Sequence, residues 1–162
     1  MHFTEASVGA LRRVVTRLRP PLLDDLGLAE AAQFQLDEFA ERNGIEVESH
    51  IAIDGVSLDD RTAINIFRML QESLTNVARH SKATRVSILL GKNEDSLLLE
   101  VSDNGCGTEL RDKPTLGYGL VGNRERTSML GGQMEIASAP GEGFTLRVTI
   151  PLLTPEPTGE SK

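Results

Sequence analysis

The sequence predicts an α+β protein built as a two-layer sandwich, in which a mixed, mostly antiparallel sheet is covered on one face by helices. Helical hydrophobic spacing is concentrated early in the chain, and short apolar stretches joined mostly by turns follow it. The regular alternation of strand and helix that indicates a doubly wound parallel sheet does not occur.

Three helices are predicted in the first half of the chain from apolar residues at helical spacing. Their ranges are about 5–19, 28–42 and 60–80. Pro20 and Pro21 stop the first helix, because proline lacks an amide donor and restricts the residue before it. Asn43-Gly44 ends the second. Candidate N-caps of the third are Ser57, Asp59 and Asp60. Its buried stripe is predicted to be Ile64, Phe67, Leu70, Leu74 and Val77.

Five strands are predicted from short apolar stretches bounded by turn residues. Their ranges are about 45–53, 84–91, 96–103, 133–138 and 143–150. A glycine-containing loop over 104–118 and a helix over about 119–130 separate the third strand from the fourth. Gly131-Gly132 ends that helix.

Composition limits the classes of protein that this chain can belong to. The 162 residues suit one compact domain with a short appendage, and 39% of them are apolar. A single cysteine excludes an internal disulfide. No apolar run approaches the ~18 residues of a membrane span, and the start lacks a signal-peptide pattern, so a cytoplasmic domain without membrane contact is expected. Residues 1–20 carry four Arg against one Glu, but an acidic segment follows them directly. This charge pattern argues against direct nucleic-acid binding.

A polar cluster lies on the longest predicted helix, over residues 71–80. Glu72 and Asn76 are four residues apart and therefore share one helical face, and Arg79 follows three residues later. A carboxylate and a carboxamide offer the hard oxygen ligands that suit Mg²⁺ bound to a nucleotide phosphate. Taken alone, the cluster favours the other interpretation, an exposed polar stripe on an amphipathic helix.

A second cluster, over residues 101–107, places Asp103 at the end of an apolar strand, before Gly105 and Gly107. The glycines let a ligand approach the backbone. An ionised carboxylate only accepts hydrogen bonds, so it suits an exocyclic amine such as that of adenine. The alternative is an ordinary Asp-Asn-Gly turn.

Two further clusters are rich in glycine. Gly117, Gly119 and Gly122 formally match G-x-G-x-x-G, but a loop precedes them, so the dinucleotide-fold interpretation fails on context. A glycine-rich turn that opens a helix still presents free amides and a positive dipole to phosphates. The last cluster, over residues 140–145, is a glycine turn between two strands.

The order of these four clusters resembles the N, G1, G2 and G3 boxes of the GHKL ATPase superfamily, over roughly residues 28–150. Its members include gyrase-type topoisomerases, MutL repair proteins and sensor histidine kinases. Three strings, over residues 18–28, 76–83 and 119–126, resemble the kinases of the nitrate-sensor and DesK-like subfamily. The last of these strings departs from the pattern of the subfamily at Asn123, where methionine is more usual. We expect this difference to matter little.

The resemblance implies a Bergerat-type fold that binds ATP and Mg²⁺. Asp103 would bond the adenine amino group, with Gly105 and Gly107 shaping the base pocket. Asn76 would ligate Mg²⁺ with help from Glu72, and these two are the catalytic candidates. Residues 108–116 would form the ATP lid. The phosphates would be wrapped by Gly117, Tyr118, Gly119, Leu120 and Gly122. Further ATP-site candidates are Arg79, His80 and Lys82, near the phosphates, and Thr145, which would help to close the site.

The resemblance also implies a division of the chain. Residues 1–21 would be the remnant of a dimerisation helix and linker, 22–152 the ATP-binding catalytic domain, and 153–162 a disordered tail. None of His2, His50 and His80 has the surroundings of a phosphoacceptor. The chain would therefore transfer the γ-phosphoryl group to a histidine on an absent dimerisation domain, and the isolated fragment would lack autophosphorylation.

The implied partners are the dimerisation domain and a response regulator with a helix-turn-helix output domain. Whether the full-length kinase is membrane-anchored stays open. Two alternatives remain at this stage: an ATP-hydrolysing GHKL protein of another branch, which would use Glu72 as a general base, and a degenerate, non-catalytic binding module.

Overall fold

The structure is a computed structural model that describes residues 21–110 and 117–152. The helix predicted over 5–19, most of the predicted lid and the predicted tail lie outside the described residues. Within these ranges, no helix has the length and apolar character needed to cross a membrane.

The described chain alternates helices with five strands. In chain order these are α1 (Pro21–Leu26), α2 (Leu28–Asn43), β1 (Glu46–Ala52), α3 (Asp60–Asn76), a π-helical turn (Val77–Ser81), β2 (Arg85–Lys92), β3 (Ser96–Asp103), α4 (Tyr118–Met129), β4 (Gln133–Ser138) and β5 (Phe144–Pro151).

The strands form one open sheet in the order β1-β2-β3-β5-β4. The pair β1–β2 is parallel and the other pairs are antiparallel. Side chains alternate between the two faces, and one face is buried beneath the helices. Its central residues are Val86, Ile88 and Leu90 of β2, Leu97, Leu99 and Val101 of β3, and Leu146, Val148 and Ile150 of β5. The predicted α+β sandwich with a mixed sheet is confirmed.

Helix α3 forms the middle of the helical layer. Asp59 is its N-cap, and its carboxylate accepts the Thr62 amide at 3.0 Å. The predicted stripe is buried from Phe67 onward, whereas Ile64 is only half-buried. Ile66 and Met69 are fully buried in addition. The buried surface is wider than a single stripe because α3 packs on α2, α4 and the sheet together.

Two boundaries differ from the sequence prediction. A short helix, α1, begins at Pro21, which was assigned to the linker; proline is well suited to the first helical position, where an amide donor is not needed. The long helix predicted to reach residue 80 ends as an α-helix at Asn76 and continues as the π-helical turn. The turn closes on Ser81, whose hydroxyl donates to the Val77 carbonyl at 2.6 Å.

Candidate functional site

Asp103 is the last residue of β3 and lies on the buried face of the sheet, where it is 8% exposed. Its carboxylate accepts the Gly105 amide at 2.8 Å and also the Phe144 amide. Burial raises the pKa of this carboxyl, because removal from water disfavours the charged form, and the two backbone amides oppose that effect. The amides fix the direction of the carboxylate, and its two oxygens can accept more bonds than these.

The loop after Asp103 is held against the π-helical turn that follows α3. The Cys106 amide donates to the Ser81 carbonyl at 2.7 Å. A side chain on Gly105 would collide with that same carbonyl oxygen, so only glycine fits there. Contacts between Gly105 and Ser81 thus place the strand end bearing Asp103 one π-helical turn from Asn76.

Asn104 connects the same loop to the start of β2 through three side-chain hydrogen bonds. Its Oδ1 accepts the amides of Thr84 and Arg85 at 3.0 Å each, and its Nδ2 donates to Thr84 Oγ1 at 2.9 Å. Sequence reasoning did not identify Asn104 or Ser81 as parts of the site. An asparagine in a turn sequence often bonds nearby backbone, and that was the available signal.

The late glycine turn packs onto the Asp103 loop from the other side. Gly141 donates its amide to the Cys106 carbonyl at 2.7 Å. Gly107 and Gly143 have φ angles of 61° and 74°. A side chain on Gly107 would collide with the Ala139 carbonyl, and one on Gly143 with the Asp103 carbonyl. These glycines are therefore required by close approach of backbone to backbone as well as by their positive φ angles.

Glu72 joins the metal-ligand candidates to the start of α4. Its half-buried carboxylate lies directly against Gly119, in the space that a side chain at position 119 would occupy. Asn76, also half-buried, is the last residue of α3, one turn beyond Glu72. The oxygen-bearing face of α3 and the glycine-rich beginning of α4 therefore lie together.

The other glycines of this cluster are less constrained. Gly117 is the N-cap of α4, and no described residue lies within 4 Å of the place where its side chain would be. Among the described residues, a side chain on Gly122 would meet only the flexible guanidinium of Arg126. Tyr118 is 98% exposed, while Leu120 is half-buried. The first turn of α4 is therefore accessible from outside.

The remaining candidates lie at the periphery. Arg79 and His80 are exposed on the π-helical turn, and Lys82 follows it with a φ of 52°. The structure does not bring the Thr145 side chain to Asp103. Thr145 pairs with Ser102 across the sheet, their hydroxyls 2.7 Å apart, on the face opposite to the buried carboxylate. Phe144 is the residue of β5 that pairs with Asp103.

The residues that converge here fit a Mg²⁺-nucleotide. A buried carboxylate with acceptor capacity left over suits the amino group of a base. The oxygens of Glu72 and Asn76 suit Mg²⁺, and the accessible beginning of a helix suits phosphate. Each of these groups comes from a different element, yet all adjoin the C-terminal half of α3 and its π-helical turn.

Comparison with known families agrees with this arrangement. Residues 61–154, more than half of the chain, match the family described as histidine kinase-, DNA gyrase B-, and HSP90-like ATPase. The chain belongs to this ATP-using family.

The proteins with similar sequences indicate which branch of this family the chain resembles. The chain is 36% identical to the sensor histidine kinase LiaS of Bacillus subtilis, over 99% of this chain and 44% of LiaS. It is 32% identical to the oxygen sensor histidine kinase NreB of Staphylococcus carnosus, over 88% of this chain and 41% of NreB. The chain thus spans less than half the length of these relatives. They confirm the predicted resemblance to the ATP-binding domain of sensor histidine kinases.

A solved structure shows the same fold. The histidine kinase domain of the blue-light activated histidine kinase EL346 from Erythrobacter litoralis aligns with a TM-score of 0.65 at 18% identity. The alignment covers 92% of this chain and 86% of that domain. The architecture predicted for the chain is therefore the one observed in a histidine kinase catalytic domain.

Proposed function

We propose that this chain is the ATP-binding catalytic domain of a two-component sensor histidine kinase and transfers the γ-phosphoryl group of ATP to a histidine of a dimerisation domain outside this sequence. The observation that supports the proposal is the convergence of Asp103, the Glu72–Asn76 face and the beginning of α4 around one helix end. Catalysis of this kind is mostly positioning and charge neutralisation, so it needs no nucleophile from the chain itself.

Each group has a defined part in the proposed site. Asp103 accepts the adenine amino group, Asn76 and Glu72 hold Mg²⁺, and the backbone over 117–122 surrounds the phosphates. Mg²⁺ supplies neutralisation of the phosphate charge when bound. Arg79 and Lys82 add positive charge at the exposed edge. The acceptor imidazole then attacks the γ-phosphorus, the bond from that phosphorus to the bridging oxygen breaks, and ADP leaves.

The proposed partners follow from this reaction. A dimerisation domain must present the acceptor histidine, and a response regulator, proposed to carry a helix-turn-helix output domain, receives the phosphoryl group. We propose that the domain works in the cytoplasm, without direct contact to nucleic acid or membrane.

Phosphoryl transfer to an added acceptor domain tests the proposal. Labelled Mg²⁺-ATP should leave no acid-labile phosphate on the chain alone, because the proposed acceptor histidine is not among its own three. Adding a separately produced dimerisation domain of a related kinase, with its acceptor histidine, should give labelled phosphohistidine on that domain. Replacing the acceptor histidine by glutamine should remove the signal.

Other outcomes would support one of the two alternatives or contradict the proposal that the acceptor histidine belongs to a separate domain. Rapid release of inorganic phosphate without an acceptor favours an ATP-hydrolysing member of the family. Failure to bind ATP indicates a degenerate binding module. Acid-labile phosphate on His50 or His80 of the isolated chain would overturn the assignment of the acceptor to a separate domain.

Replacing Asn76 by alanine should separate metal recognition from base recognition. The pocket around Asp103 does not involve the Asn76 side chain, so nucleotide affinity should remain but no longer respond to Mg²⁺. Asn65→Ala is the matched control, because Asn65 lies on the same helix and, within the described part of the chain, its side chain bonds only the Arg61 carbonyl. Calorimetric titration of ADP with and without Mg²⁺ measures the difference. An equal Mg²⁺ effect in the Asn76 variant and the parent would remove Asn76 as the ligand.

A further inference from the structure

Asn123 is a buried polar residue that neither the fold nor the proposed site explains. It lies in the second turn of α4 and is 0% exposed. Among the described residues, neither its Nδ2 nor its Oδ1 has a hydrogen-bond partner. A buried amide without partners is costly, and such groups are rare in folded proteins. An apolar side chain at this position would avoid the cost.

The position of Asn123 follows from three contacts along the seam between α3 and α4. Arg61 donates to the Met129 carbonyl at 3.3 Å, Thr127 Oγ1 contacts Met69 Sδ at 3.4 Å, and the Glu72 carboxylate lies against Gly119. The two helices are therefore antiparallel along this seam.

Asn123 is one helical turn from both Gly119 and Thr127 and shares their face. It is therefore opposite the stretch of α3 between Met69 and Glu72. Helical Cα–Cβ bonds tilt toward the N-terminus of the helix, so the side chain of Asn123 leans toward Gly119, where the Glu72 carboxylate lies. A donor without a partner thus adjoins an acceptor-only group.

We propose that Asn123 is a positioning residue for Glu72: its Nδ2 donates to the Glu72 carboxylate when Mg²⁺-nucleotide is bound, and so holds that carboxylate toward the metal. The proposal rests on the proposed function, which places Glu72 at Mg²⁺. The absence of a side chain at Gly119 lets the carboxylate lie directly against α4. A hydrogen bond to an ionised acceptor is stronger than one between neutral groups. Such a bond, formed only in the bound state, links the α3–α4 seam to the metal.

A double-mutant cycle between Asn123→Met and Glu72→Gln tests this proposal. Methionine lacks a donor, and its flexible thioether chain, although larger than the amide, adapts to irregular space in a core. In the absence of nucleotide, the thermal midpoint of unfolding of Asn123→Met should be higher than that of the parent, because the buried amide is removed. Affinity for Mg²⁺-ADP should fall about fivefold, whereas affinity for ADP without Mg²⁺ should stay unchanged. In the Glu72→Gln background, the fall in Mg²⁺-ADP affinity should be much smaller, because a neutral amide oxygen is a weaker acceptor than a carboxylate.

Asn123→Leu provides a second apolar variant that should behave in the same way. A rise in the thermal midpoint with unchanged Mg²⁺-ADP affinity would show that Asn123 is only a packing residue, and would overturn the proposal. An equal loss of affinity in both Glu72 backgrounds would do the same. If the parent chain fails to bind Mg²⁺-ADP, the proposed function fails together with this one; an additive cycle in a parent that binds normally overturns the positioning role alone.

Discussion

Replacing Asp103 by asparagine is expected to abolish measurable nucleotide binding while leaving the chain folded at neutral pH. The Gly105 and Phe144 amides fix the carboxylate in place. An asparagine there can keep one backbone bond through its oxygen but then presents a donor to the donor of the adenine amino group. Loss of a charge-assisted bond together with an unpaired donor should cost about 2–4 kcal/mol of binding free energy.

The stability effect follows from the raised pKa of Asp103. Because burial raises the pKa of the folded carboxyl above its unfolded value, the protonated form stabilises the fold, fully below the unfolded pKa. That contribution is lost as the pH rises through the folded pKa, so at neutral pH the buried charge destabilises the fold. The difference in stability between Asp103→Asn and the parent should therefore be most favourable to the variant at neutral pH and become less favourable as the pH falls toward the folded pKa.

Two measurements separate these effects. Calorimetry with ADP reports binding, and thermal unfolding at several pH values without nucleotide reports stability. Asp95→Asn serves as a matched control, because Asp95 is an exposed aspartate in the turn between β2 and β3. An unchanged dissociation constant for Asp103→Asn would remove the adenine role from this residue. A difference in stability from the parent that does not change with pH would contradict the account of its pKa.

Local pattern was sufficient to predict most of the elements. The spacing of Phe67, Leu70 and Leu74 indicated the buried face of α3, because a 3.6-residue period identifies one side of a helix. The position of Asp103 at a strand end predicted a carboxylate directed into a pocket, and it is buried on the helical side of the sheet. These features depend on neighbours within a few residues along the chain.

Features set by distant contacts could not be predicted. The π-helical turn depends on Ser81 meeting Gly105 and Cys106, which lie over twenty residues away. The face taken by Thr145 depends on the pairing of Asp103 with Phe144, and a shift of one residue reverses the face. From the sequence, the asparagine at position 123 is expected to matter little. The packing of α4 on α3 shows instead that its amide is buried without partners among the described residues.

The sequence also could not show which glycines the fold requires. A glycine can be needed for its backbone angle, for close approach, or for neither, and only the structure separates these reasons. Gly107 and Gly141 both have positive φ angles, 61° and 79°. A side chain on Gly107 would collide with the Ala139 carbonyl and lie 2.8 Å from the Gly143 carbonyl oxygen, whereas one on Gly141 would meet nothing within 4 Å. The pair therefore isolates close approach from backbone strain.

Gly107→Ala should destabilise the fold much more than Gly141→Ala. Both variants bear the strain of a positive φ, about 1 kcal/mol or slightly more. Gly107→Ala must in addition push apart the Asp103 loop and the β4–β5 turn, for a total of about 3–5 kcal/mol.

Chemical denaturation measures both free energies of unfolding, and ADP titration of the folded fraction should show lost affinity in the Gly107 variant only. Gly141→Ala keeps the amide that donates to the Cys106 carbonyl and so retains the contact between the two loops. Equal destabilisation in the two variants would mean that both glycines are needed only for their positive φ angles. Contact between the two loops would then not support the nucleotide site.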